Sequence, residues 1–115
     1  MRFTELETRA LEHIAAARAD GDIIAQQVAR ARVDQRERHA CGFRTFLSLD
    51  AIGRHLDKSL WKTEDMPVVR ATHPALAGEA HFTLVLADGF VSCLIGDSGE
   101  QPWPKDPSAF RFAAR

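Results

Sequence analysis

Residues 80–96, AHFTLVLADGFVSCLIG, decide the fold. Two runs rich in β-branched and aromatic residues flank Asp88-Gly89, the dipeptide favoured by a two-residue type I′ turn, whose central positions both need positive φ. With Asp88 and Gly89 as the loop, Ala87 stands opposite Phe90, Leu86 opposite Val91, Leu84 opposite Cys93 and Phe82 opposite Ile95. One face then holds Phe82, Leu84, Leu86, Val91, Cys93 and Ile95, and this wholly apolar face is the expected core. The other holds His81, Thr83, Val85, Phe90, Ser92 and Leu94, apolar enough to be partly covered.

Working outward, MPVVRAT at 66–72 reads as a strand that begins at Pro67, where a missing N–H is tolerated. His73-Pro74 then starts a turn. Phe43 to Leu49 forms another strand, with Phe43, Thr45, Leu47 and Leu49 on one face. Before it, Arg30, Arg32, Asp34, Arg36 and Arg38 alternate with Ala31, Val33, Gln35, Glu37 and His39. That period of two, with one face wholly charged, predicts an edge strand protected by charge. Ala40-Cys41-Gly42 is either a turn or a glycine bulge.

The N-terminal stretch is helical over 4–19. Thr4 and Glu7 make a capping-box pattern, Leu6, Ala10, Ile14 and Ala17 recur at helical spacing, and Gly21 supplies a stop. IIAQQVARA, after Asp22, reads as a short second helix with Ile24, Val28 and Ala31 on one side. Asp50 is placed to cap another short helix carrying Ile52, Leu56 and Leu60, followed by a loop from Trp61. After Gly96 the chain loosens, and Phe110 and Phe112 alternate like a last short strand. The expected fold is α+β: an N-terminal helix and a short second one packed on a 4–5-stranded antiparallel sheet, in a single domain over 1–115.

Composition narrows the function classes. The chain has 115 residues, 15 Lys+Arg against 16 Asp+Glu, a formal charge of -1 and 45% hydrophobic residues. A near-neutral balance speaks against a dedicated nucleic-acid binder. No apolar run approaches the roughly 20 residues of a membrane span. MRFTELETRALEHIAAARAD carries acids from residue 5 onward and no continuous apolar segment, so it does not read as a signal peptide. The expectation is a soluble cytoplasmic protein. Neither GxGxxG nor GxxxxGK[ST] occurs, and no cofactor is implied.

The chemistry-bearing residues are few. Cys93 falls on the expected core face, and a sheet would separate it from His81, so its thiol reads as structural. Cys41, two residues after His39, is the better nucleophile; the two share a face if the strand continues. That pair, with His73 or His81 as further partners, defines one alternative, a small enzyme. The histidines at 13, 39, 55, 73 and 81 include no HExxH spacing, and no metal site is expected. The acids Glu64-Asp65 and Asp97 with Glu100 read as loop residues. Arg30, Arg32, Arg36 and Arg38, continued by Arg44, form either a solvated edge face or a ribbon for an acidic protein partner. No aromatic stacking pattern beside them suggests nucleic acid. Trp103, stiffened by Pro102 and Pro104, either folds back to seal the sheet or serves as a contact anchor. The expected binding residues are therefore Trp103, Pro102, Pro104, Arg32, Arg36 and Arg38, meeting a protein partner or a second copy of the chain.

Three segments together carry a resemblance: Arg36-Glu37-Arg38-His39-x-x-Gly42-Phe43-x-Thr45, then HPALAGEAHFTLVLADGFVSCLIG, then Glu100-Gln101-Pro102-Trp103-Pro104. Over residues 33–104 the chain resembles small bacterial proteins of unknown function, in which a Gly-Phe strand precedes a C-terminal Asp-Gly hairpin and a Trp-Pro ending. It departs from them at Ile95, where an acidic residue is more usual. The resemblance implies an α+β fold with an antiparallel sheet and no particular activity. Some such proteins look like immunity or accessory factors, so a non-enzymatic binding or accessory role is expected, with toxin immunity as an alternative.

Overall fold

A computed structural model describes residues 2–50 and 67–113. Helix α1 (Glu5–Ala16) starts where its capping box is complete: the Thr4 hydroxyl accepts from the Glu7 N–H, and the Glu7 carboxylate accepts from the Thr4 N–H. Glu5 and Glu7 add negative charge at its N-terminal turn. The helix ends at Ala16, short of the expected residue 19, and Gly21 opens helix α2 (Gly21–Arg30) rather than merely closing α1. Leu6, Ala10, Leu11 and Ile14 of α1 and Ile24 of α2 are buried.

The strands are β1 (Arg32–His39), β2 (Gly42–Ser48), β3 (Val68–Thr72), β4 (Ala80–Ala87), β5 (Phe90–Asp97) and β6 (Arg111–Phe112). Among the described residues they form a six-stranded antiparallel sheet in the order β1-β2-β5-β4-β3-β6, so the two-residue β6 takes the count above the expected four or five. Helix α1 packs against β3 and β4, and α2 against β5, which places both helices over one face. Ala40-Cys41 is a turn, with His39 paired to Gly42 across it. The helix expected over 50–65 lies, beyond Asp50, outside the described residues, as does Met66.

Two bulges correct the expected faces. Asp88 (φ 54°) and Gly89 (φ 81°) make the expected positive-φ turn, but Leu86 pairs with Val91 and Val85 with Cys93, leaving Ser92 as an extra residue. From there the alternation is inverted. Leu84 faces a fully buried Leu94, Phe82 faces Gly96, and Cys93 and Ile95 move to the opposite face with Val85, Thr83 and His81. Asp34 is the second extra residue: Val33 pairs with Leu47, but Gln35 pairs with Phe46 and Arg36 with Thr45. Arg36 and Arg38 therefore share the helix-bearing face with Val33, Thr45 and Phe43. Arg32, Gln35 and Glu37 point to the other face. The single charged ribbon is thus split, Arg30 belongs to α2, and Arg44 lies opposite Glu37 on the far side.

Phe82, fully buried, is the hub of the core. Its ring centroid lies 6.2 Å from Phe43, 5.8 Å from Trp103, 5.6 Å from Phe110 and 5.2 Å from Phe112. Gly96 makes room for this cluster: a Cβ there would sit 2.3 Å from the Phe43 ring. At the other end, buried Gln27 clamps the β4–β5 turn. Its Nε2 donates to the Gly89 carbonyl (3.2 Å), and its Oε1 accepts from the Val91 N–H (2.9 Å). Gln27→Ala leaves both backbone groups without that partner, and urea unfolding should show a loss of about 1–3 kcal/mol. A loss within 0.5 kcal/mol of zero, the range of ordinary surface substitutions, would mean that the clamp contributes nothing.

Candidate binding cleft

Glu7 lies on the buried stripe of α1 with only 2% of its side chain exposed. Its carboxylate accepts from the Thr4 N–H (2.8 Å), from Arg36 Nε (2.8 Å) and Nη2 (2.7 Å), and from the Thr45 hydroxyl. Burial alone pushes this carboxyl up. The bonds from Arg36, Thr45 and Thr4, with the Arg36 charge, outweigh burial and hold it below its ordinary value. The bulge at Asp34 is what turns Arg36 toward this carboxylate. A third Arg36 bond, from Nη2 to the Arg2 carbonyl (3.0 Å), fixes the guanidinium further.

Beside this pair the segment after β5 folds back over the end of the sheet. The Trp103 N–H donates to the Ala40 carbonyl (2.7 Å), and the Ser98 N–H and hydroxyl both donate to the Cys41 carbonyl (2.9 and 3.0 Å). Trp103 packs edge-on against Phe43 (5.4 Å) and tilted against Phe110 (5.1 Å), and stays partly exposed. A cleft of about 460 Å³ remains between the start of α1, the β1–β2 turn and residues 103–108. Phe43, Trp103, Pro104 and Pro107 give it an apolar wall. Arg9, Arg36, Arg38 and Lys105 outnumber the acids Glu5 and Glu7 along it.

These cations are not equivalent. Arg36 is paired with Glu7, and Arg9 donates to the Phe110 carbonyl (2.6 Å) with its guanidinium over the Phe112 ring. Arg38 and Lys105 are exposed and have no ion pair among the described residues. The cleft can therefore bind a negative charge beside an apolar group.

Of the residues singled out from sequence, Trp103, Pro104, Arg36 and Arg38 meet at this cleft, whereas Pro102 and Arg32 do not line it. Trp103 does two jobs, sealing the sheet end and walling the cleft. Arg36 is occupied by Glu7. His39 lines the cleft, while Cys41 sits in the turn outside its lining; the strand does not continue through 41, so the condition for a shared face is not met. Cys93 is buried on the same face as His81 rather than the opposite one, and burial pushes its thiol up. His73 is fixed in a turn: Nδ1 accepts from the Ala75 N–H (2.9 Å), so Nε2 carries the proton donated to the Asp106 carbonyl (2.7 Å). His13 stacks on Phe112 at 4.7 Å. No group of three or more metal-ligating side chains is clustered among the described residues.

Sequence reasoning missed Glu7, Thr45, Arg9 and Lys105 as cleft or network residues. Glu7 did leave a signal: it shares helical spacing with Leu11 and Ile14, so a carboxylate sits on the apolar stripe. Among the described residues no helix is long and apolar enough to cross a membrane. No family model, no curated protein and no solved structure matches this chain.

Proposed function

We propose that this chain is a non-enzymatic binding module whose cleft at Trp103, Pro104, Arg38 and Lys105 receives an acidic protein partner. The observation that carries the reading is the pairing of two exposed cations, without an ion pair among the described residues, with a fixed aromatic wall, in a chain whose formal charge is -1. A local basic site on a near-neutral surface favours specific contact over general attraction to polyanions. Edge-stacked Trp103 offers contact area at little entropic cost, because its ring is already held by Phe43 and Phe110. An immunity-type role would be one instance of such binding, decided by the partner's identity.

The test is an affinity pull-down from lysate of the source organism with three baits: the native chain, Arg38→Glu and Trp103→Ala. A dominant acidic partner should be retained by the native chain at about 0.1 M salt and lost on both variants. Arg38 is exposed, so Arg38→Glu leaves the fold intact and reports on the contact itself. A partner captured equally by all three baits overturns this site.

A further inference from the structure

Resting on that reading, we infer that the partner presents a short extended segment to the cleft: one aromatic side chain on the Phe43–Trp103 wall and one carboxylate toward Arg38 and Lys105. Size is the first reason. At about 460 Å³ the cleft falls in the range of small-ligand sites, roughly 300–1,000 Å³, and holds a few side chains. A docked folded surface instead covers about 800 Å² on each partner. Rigidity is the second. Trp103 is tied through its N–H to Ala40 and through its ring to Phe43 and Phe110, and Pro104 and Pro107 stiffen the adjoining wall. A prebuilt wall suits an inserted ring.

Charge selects the rest of the ligand. Glu7 is closed to a ligand cation because Arg36, Thr45 and Thr4 already fill its acceptor sites. Glu5 is the other carboxylate on the wall, against exposed Arg38 and Lys105. A basic segment is therefore repelled and an acidic one held. In an extended chain, residues two apart project to the same side, so the pattern expected in the partner is an aromatic residue, any residue, then an acid.

The probe is the blocked peptide acetyl-Ser-Phe-Ser-Glu-Ser-amide, titrated into the uniformly ¹⁵N-labelled chain and followed by amide and indole NMR shifts. Saturable shifts should gather at Trp103, Phe43 and Arg38. The Gln-for-Glu peptide should bind about tenfold more weakly, and Arg38→Glu should abolish the response to the acidic peptide. The inference is overturned if the cleft signals do not move, or if the Gln peptide binds equally well. It is also overturned if free phenylacetate binds as tightly as the peptide, since the site would then be one for a small acid. A lysate partner that needs Arg38, together with a silent peptide titration, rejects the segment and leaves the binding module standing. Failure of both experiments rejects both.

Discussion

Glu7→Ala will destabilise the fold by about 3–5 kcal/mol, the usual cost of removing one partner from a buried ion pair. The magnitude follows from what is left behind. Arg36, only 15% exposed at its side chain, loses both hydrogen bonds to the carboxylate, the Thr45 hydroxyl loses its acceptor, and the Thr4 N–H loses the return half of the capping box. Glu7→Gln keeps the shape and one acceptor oxygen, so its loss should be smaller. Arg36→Met paired with Glu7→Ala should cost less than the two single losses added, because the second change no longer strands a charge. Urea unfolding at neutral pH measures all four chains, and a Glu7→Ala loss under about 1 kcal/mol would place the pair with ordinary surface bridges.

Acid should expose the same pair. The folded-state value of Glu7 lies below the ordinary 4.5, so its contribution is fully present above that pH and fades as pH falls through the folded value. Stability curves of the native chain and Glu7→Gln should therefore converge on the acid side. Curves that stay parallel below pH 4.5 would show that Glu7 does not titrate with unfolding.

Phe82→Ala is the second large effect, about 3–5 kcal/mol for an aromatic side chain removed from a packed interior. Phe82 is fully buried and touches four other rings, among them both walls of the cleft, Phe43 and Trp103. The cavity therefore opens directly behind the binding surface. Phe82→Leu refills most of the volume and should recover more than half of the loss. At a urea concentration where both variants remain folded, the alanine chain should also bind the acidic peptide more weakly, since Trp103 loses its backing. Unchanged peptide affinity in a folded Phe82→Ala chain would separate the core from the cleft.

What the sequence disclosed depended on how local each device is. The capping box at Thr4 and the Asp88-Gly89 turn are written within four residues and stand where expected. The bulges at Asp34 and Ser92 leave no such mark, because a polar residue fits an alternating pattern equally well as a paired or an extra position. Each moved every later residue of its strand to the other face. That is why Cys93 left the expected core, and why Arg36 came inward to Glu7. Trp103, Pro104, Arg36 and Arg38 could be picked out singly by their chemistry. Their meeting with Glu7 and Lys105 depends on contacts between segments distant in the chain, which periodicity does not encode.

The strand order also sets the kinetics of reaching this state. β1–β2 and β4–β5 are hairpins closed by turns of two residues, and β3 lies beside β4, so these pairings form from neighbouring chain. The β2–β5 ladder is different: Phe46 must find Cys93 with β3 and β4 intervening in the chain. Loop closure opposes that encounter before any contact rewards it, so central zipping is expected to be slow, on a scale of about milliseconds to seconds. Until it occurs, Phe43 has no Gly96 to lie over, and the wall behind the cleft does not exist. Binding competence thus requires the β2–β5 ladder, and a chain without it carries two formed hairpins but no backing for the cleft.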